Sequence, residues 1–321
     1  MLFRSAPAAC AAAGDAPDRC LALVFTHHGG SDGTEKQSLA VSTDGGRTFV
    51  LHPRSPVLRE PGLRDFRDPK VFRHGDGWVL VAAAGDRARF YRSEDLLDWT
   101  PAGTFGPVAG LTGTWECPDL FELPIDGEPS RTAWVFKIDT NRGLAAARPE
   151  AWVFAGTFDG SAFSDGGSGP RNADLGPDFY AAQSWSNAPG GRRTWIAWMD
   201  HWSYALITPT EAWRGALTIP RDVRLASRDG VPVVVQSPVD LSPIDLGVLA
   251  RGTGLVVEGD DDLGGAVRGV PLDVSVRLAP GAWSRAGLRL FTGGDGLAAK
   301  VGYDRGTGEV FVDREDRKSV V

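Results

Sequence analysis

Apolar residues recur along the chain in short runs bounded by Gly, Asp and Pro. Runs of this length, rich in β-branched and aromatic residues, read as strands. The pattern predicts strands at Leu21–Thr26, Gln37–Ser42, Thr48–His52, Lys70–Phe72, Trp78–Ala84 and Arg87–Arg92. It predicts more at Thr132–Ile138, Ala151–Thr157, Asp178–Ser186, Arg193–Met199, Leu217–Leu225 and Val231–Gln236. The pieces between are turn chemistry, as in Gly29-Gly30-Ser31-Asp32-Gly33, Asp44-Gly45-Gly46 and Asp76-Gly77. No stretch of helical length keeps the apolar period of a helix. The expected fold class is all-β.

A weak repeat refines this. Ser42-Thr43-Asp44-Gly45-Gly46-Arg47-Thr48-Phe49 resembles Ser93-Glu94-Asp95-Leu96-Leu97-Asp98-Trp99 and Thr157-Phe158-Asp159-Gly160-Ser161-Ala162-Phe163. Each is a strand end, an Asp turn and an aromatic that opens the next strand. The Asp positions 44, 95 and 159 are spaced by 51 and 64 residues. Four short strands in a period of about 50 residues read as propeller blades. Generic hairpins of a β-sandwich are the alternative.

Composition shifts after Trp213-Arg214-Gly215, and Ser237-Pro238 and Ser242-Pro243 read as a linker. Beyond Leu246 the strands become shorter and Gly-rich: Leu272–Leu278, Gly287–Phe291, Ala298–Tyr303 and Val310–Asp313. The expected organisation is an unstructured or artefactual N-terminus over residues 1–20 and an incomplete propeller over 21–237. An incomplete sandwich over 238–315 and an artefactual tail over 316–321 follow. Leu2-Phe3-Arg4-Ser5 and Asp316-Arg317-Lys318-Ser319-Val320-Val321 match what sequencing adapters would encode. Both ends are therefore expected to be cut.

The formal net charge of −7 over 321 residues, with no basic cluster, disfavours nucleic acid as a partner. No apolar run reaches membrane-spanning length. No signal peptide is evident in residues 1–20. Eleven Trp against four Tyr supply flat apolar surfaces, which sugar rings use and β cores also bury. Three Cys give no disulfide framework, though Cys10 and Cys20 could pair. The adjacent His27-His28 suit a strand end better than a zinc site, and no metal or cofactor is expected.

Two stretches carry candidate chemistry. In Trp115-Glu116-Cys117-Pro118-Asp119 a carboxylate lies between an indole and a proline. An apolar wall there raises a carboxyl pKa, as a general acid requires. In Phe66-Arg67-Asp68-Pro69-Lys70 a second carboxylate follows an arginine that is expected to hold it ionised. One carboxyl pushed up and one pushed down is the pattern of acid/base chemistry on a sugar.

Together these motifs make the chain resemble glycoside hydrolase family 32, the levanases, exo-inulinases, invertases and other fructan β-fructosidases. Phe66-Arg67-Asp68-Pro69 is similar to the family's Arg-Asp-Pro motif and Trp115-Glu116-Cys117-Pro118 to its Glu-Cys-Pro motif. The stretch from Gln37 through Phe49 also fits. So do Gly176-Pro177-Asp178-Phe179-Tyr180-Ala181-Ala182-Gln183-Ser184-Trp185, Trp198–Tyr204, Trp213-Arg214-Gly215-Ala216 and Phe311-Val312-Asp313-Arg314. The resemblance implies a five-bladed β-propeller followed by a β-sandwich, with the first blade missing here. It implies a secreted retaining glycosidase for levan, inulin or sucrose, in which Glu116 is the acid/base and Asp68 stabilises the transition state. Arg67 would bind substrate, and Trp202 would offer a sugar-facing indole. The family's nucleophile, in an Asn-Asp-Pro motif, has no counterpart: Asp68-Pro69 is the only Asp-Pro pair in the chain. The chain is therefore expected to be inactive as it stands. The alternatives are a non-catalytic sugar-binding propeller, or a propeller glycosidase acting on arabinan or xylan. Oligomeric state is left open.

Overall fold

The computed structural model describes residues 2–4, 10, 20–29, 33–60, 62–143, 150–208, 210–244, 247, 252–257, 259, 273–279, 281–290 and 298–313. The chain divides into two compact units, Met1–Val239 and Asp240–Val321. The boundary expected at 237/238 falls inside a strand, Val231–Pro238, which the first unit holds whole.

The first unit is built of antiparallel meanders. Strands β1 (Leu2–Arg4), β2 (Leu21–His28), β3 (Glu35–Ser42) and β4 (Val50–Leu51) form the first sheet, with β5 (Leu58–Arg59) also pairing β3. The second sheet is β6 (Phe66–His74), β7 (Gly77–Ala84), β8 (Ala88–Ser93) and β9 (Thr100–Phe105). The third is β10 (Thr114–Ile125), β11 (Glu128–Asn141), β12 (Ala151–Phe158) and β13 (Phe163–Ser164), with β14 (Arg171–Asn172) beside β12. The fourth is β15 (Tyr180–Ser184), β16 (Thr194–Trp198), β17 (Arg221–Arg228) and β18 (Val231–Pro238). A single parallel bridge, Ile125 to Leu225, links the third and fourth. Residues 2–4 thus pair with Leu21–Leu23 instead of remaining unstructured.

Three apolar clusters hold these sheets face to face in chain order, as in a β-propeller. One joins Val24 and Leu39 of the first sheet to Phe66, Trp78 and Leu80 of the second. The next joins Val79, Val81 and Phe90 to Trp115, Leu120 and Phe136. The last joins Phe121, Val135 and Val153 to Phe179, Trp195 and Val223. Strand β7 shows why its sequence is an unbroken apolar run. Side chains alternate across a strand, so Trp78, Leu80, Ala82 and Ala84 enter one cluster while Val79, Val81 and Ala83 enter the next. A strand buried on both faces has no polar positions to show.

The repeated Asp residues occupy one topological place, the turn into each blade's outer strand. Asp44 accepts the amides of Arg47 (2.9 Å) and Thr48 (3.0 Å) between β3 and β4. Asp95 accepts Leu97 and Asp98 between β8 and β9, and Asp159 accepts Ser161 and Ala162 between β12 and β13. A carboxylate that ties its own following amides fixes a turn locally, which explains why the repeat survives in the sequence.

Cys10 and Cys20 form a disulfide, and Cys20 is buried in the first inter-sheet cluster. The second unit contains a three-stranded meander of its sandwich, β19 (Arg285–Leu290), β20 (Ala299–Asp304) and β21 (Glu309–Asp313). Of the strand expected over Leu272–Leu278, Leu272 lies outside the described residues, and 273–278 pair with no strand among the described residues. The expected tail 316–321 lies outside the described residues. Among the described residues no helix is long and apolar enough to cross a membrane, and no His/Cys/Asp/Glu group has metal-binding geometry.

Candidate active site

The first strands of the second, third and fourth sheets carry the same defect. The ladder slips between Arg67 and Lys70 on β6, between Glu116 and Asp119 on β10, and between Tyr180 and Gln183 on β15. At each slip one residue takes a left-handed backbone: Asp68 (φ 59°), Cys117 (φ 51°) and Ala181 (φ 54°). Such a conformation costs a side-chain-bearing residue of order 1–3 kcal/mol and persists only when its surroundings hold it. Here each strained residue's amide is accepted by a side chain of the preceding blade. Asp68 N donates to Thr26 Oγ1 (2.8 Å), Cys117 N to Asp68 Oδ2 (2.8 Å) and Ala181 N to Asp139 Oδ2 (3.0 Å).

The residue before each bulge is aimed at a common point. Arg67 Nη2 donates to Glu116 Oε1 (3.1 Å), and Tyr180 OH donates to Glu116 Oε2 (2.6 Å). Asn141 Nδ2 reaches both carboxylate oxygens, at 3.2 and 3.3 Å. Glu116 is thus surrounded by donors from three successive sheets. A cavity of about 330 Å³ opens over it, lined by Arg67, Asp68, Glu116, Cys117, Tyr180, Ala181, Trp198 and Trp202. A second cavity of about 350 Å³ shares Asp68 and Cys117 and extends to Pro69, Gln183 and Ser184.

All four residues singled out from sequence therefore line one cavity. Trp202 stands edge-on to Trp198 (5.1 Å between ring centroids) and to Tyr180 (6.4 Å), which makes an aromatic wall. The apolar wall expected beside Glu116 from its neighbouring indole does not form. Trp115 is fully buried in the inter-sheet cluster with Phe105 and Phe136, because alternation turns it away from Glu116.

A second expectation reverses. Asp68 was expected to be held ionised by Arg67, yet its carboxyl is raised above the ordinary range. Burial is the main cause; the Cys117 amide opposes it, and the charge of Glu116 adds to it. Arg67 helps little because its hydrogen bonds go elsewhere, to Glu35, Asp65 and Glu116. Oδ2 of Asp68 is engaged by Cys117, which fixes the carboxyl's orientation in the cavity.

Beneath the cavity lies a polar layer from the same bulges. Lys70 and Asp119, both buried, pair at 2.7 Å, and Asp119 Oδ2 also accepts Ser184 N and Trp195 Nε1 (both 2.9 Å). Lys137 pairs with Asp139 and donates to Cys117 O (3.3 Å). Burial pushes the Asp139 carboxyl up to about 7, against the pull of Lys137 and the Ala181 amide. It also drives the Cys117 thiol well up, which leaves that thiol protonated.

The sequence matches the glycosyl hydrolases family 32 N-terminal domain over residues 8–238. The chain belongs to glycosyl hydrolase family 32. Levanase of Bacillus subtilis (strain 168) is 39% identical over 93% of this chain and 45% of its own length. The extracellular exo-inulinase of Meyerozyma guilliermondii is 30% identical over 93% of this chain and 60% of its own. The chain thus spans about half the length of these relatives. The crystal structure of exo-inulinase from Aspergillus awamori superposes with a TM-score of 0.82 at 24% identity, covering all of this chain and 68% of that one. That likeness is one of fold, the propeller and sandwich of family 32.

Several residues that shape this cavity were not legible in sequence. Glu35, Thr26, Asn141 and Asp139 belong to no short motif, and each lies on a different strand from the group it serves. Tyr180 fell within a stretch resembling the family, and only the packing shows that its hydroxyl meets Glu116.

Proposed function

We propose that this chain is part of a retaining glycosidase for β-D-fructofuranosides, with levan, inulin and sucrose as the candidate substrates. Glu116 protonates the leaving oxygen and later activates water. Asp68 binds the fructosyl hydroxyls and stabilises the oxocarbenium-like transition state. Arg67 and the Trp202 indole hold the sugar. The observation that carries this reading is the convergence of Arg67 and Tyr180, from two flanking blades, on the carboxylate of Glu116. A carboxylate with cationic, phenolic and amide donors around it is held in one orientation at the cavity, as a group acting on a bound sugar must be. The family names of the relatives support the substrate class, and the extracellular exo-inulinase supports secretion.

A retaining mechanism needs a nucleophile as well as an acid, at about 5–5.5 Å from it. The chain holds no Asn-Asp-Pro, so we assign the nucleophile to sequence beyond these residues and expect no turnover without it. The test is sugar release from levan, inulin and sucrose by two proteins. One is the chain alone, and the other carries an N-terminal Asn-Asp-Pro-bearing segment from a relative. The extended protein should be active and should lose activity on Glu116→Ala. Turnover by the chain alone would show that one of its own carboxylates is the nucleophile. Failure of the extended protein on all three substrates, with activity on arabinan or xylan, would move the substrate class. Sugar binding without any turnover would favour a non-catalytic module.

A further inference from the structure

The geometry points to Glu35 as a positioning residue of the site: from the neighbouring blade it fixes the fork of Arg67 so that one arm is anchored and the other is presented to Glu116. The inference rests on the functional reading above for its consequence, but not for its geometry.

Glu35 opens β3, and its side chain is 10% exposed. Its Oε2 accepts two donors of the Arg-Asp-Pro strand: Arg67 Nη1 at 2.7 Å and the backbone N–H of Phe66 at 3.0 Å. It therefore holds both the head of Arg67 and the backbone just before it. The other oxygen, Oε1, lies 3.4 Å from His28 Nδ1. Asp65 also reaches Arg67 Nη1, at 2.9 Å, but it is 46% exposed and takes no other bond from this strand. Nη2 remains for Glu116.

The chemistry explains why a carboxylate is suited to this place. A guanidinium presents its donors in a rigid planar fork, so fixing one arm fixes the direction of the other. Charge-assisted bonds to the anchored arm are about twice as strong as neutral ones. A neutral anchor would hold the fork less tightly, and Arg67 would turn toward Asp65 or solvent. Glu116 would then lose a donor that orients it, although Glu35 never touches that carboxylate or the cavity.

The test reads Arg67 itself. The chain is labelled with phenylglyoxal, and the rate at Arg67 is followed by peptide mass spectrometry, with Arg89 and Arg221 as internal controls in separate ion pairs. Glu35→Ala should speed Arg67 labelling severalfold and leave the controls unchanged. Glu35→Gln should fall between, since its amide oxygen can still accept one bond, and Glu35→Asp should restore part of the protection. Where Glu35→Ala unfolds the chain, all three arginines rise together and the Gln variant decides. Unchanged Arg67 labelling in the folded Gln variant overturns the proposal. In the extended protein Glu35→Gln should lower kcat more than it raises KM. An extended protein with no fructosidase activity before any Glu35 substitution, but faster Arg67 labelling in the variants, would sink the functional reading and leave the clamp standing.

Discussion

Tyr180 donates its phenolic hydrogen to Oε2 of Glu116 across 2.6 Å, although 64 residues separate the two and they lie on adjacent blades. Both residues precede a left-handed bulge at the same height of their strands. The bond follows from that equivalence: neighbouring blades place corresponding positions side by side around the axis. In the extended, Asn-Asp-Pro-bearing protein, Tyr180→Phe should lower kcat about ten- to a hundredfold, from a charged hydrogen bond worth about 1.5–3 kcal/mol. The melting temperature should move little. Wild-type kcat in the Phe variant would show that the phenol only fills space.

The buried pair Lys70–Asp119 ties β6 to β10 and, through Ser184 and Trp195, to the fourth blade. Removing one partner leaves an uncompensated buried charge, so Lys70→Ala should cost about 3–5 kcal/mol by urea unfolding. The double variant Lys70→Met, Asp119→Leu should recover part of that loss. It should still fall short of wild type by about 1–3 kcal/mol, because the Ser184 amide loses its acceptor.

Two buried carboxyls give opposite pH dependences. Lys70 and the donors of Ser184 and Trp195 hold Asp119 below its ordinary value against burial. Its contribution is therefore present above the unfolded value, near 4, and is lost as pH falls through the lower folded value. Asp139, raised to about 7 by burial, binds its proton more tightly when folded. Its contribution is therefore fullest below about 4 and declines as pH rises to about 7. Asp139→Asn should flatten the stability profile between those limits, measured by urea unfolding at several pH values. An unaltered slope would show that Lys137 keeps Asp139 ionised throughout.

Gly215 has a left-handed backbone (φ 70°), and a Cβ there would meet Trp198 Nε1 at 2.5 Å and Asp200 Oδ2 at 3.2 Å. Gly215→Ala should push the Trp198 indole from the aromatic wall. The expected result is weaker binding of a fructo-oligosaccharide, followed by tryptophan fluorescence, with the propeller still folded. Unchanged affinity would place the sugar away from Trp198.

The class of fold was written in the chain, because strand alternation, turn chemistry and Asp-capped turns are local. Asp44, Asp95 and Asp159 each bond to amides within a few residues, so the blade repeat could be read without a structure. The Arg-Asp-Pro and Glu-Cys-Pro motifs were legible for a related reason: each bulge concentrates its unusual backbone in consecutive residues. Strand β10 was not legible as a strand, since Pro118, Glu122 and Pro124 interrupt its apolar pattern, while Glu116 and Cys117 line the cavity and the later residues alternate between two cores, Leu120 in one and Phe121, Leu123 and Ile125 in the other. Nor could the sequence show that Trp115 turns away from Glu116, that Arg67 is drawn to Glu35, Asp65 and Glu116, or that Asp68 is raised instead of lowered. Those outcomes depend on which blade stands beside which, and on burial created only when the sheets pack. Charges and hydrogen bonds between blades act across tens of residues of chain, so their partners are chosen by tertiary structure alone.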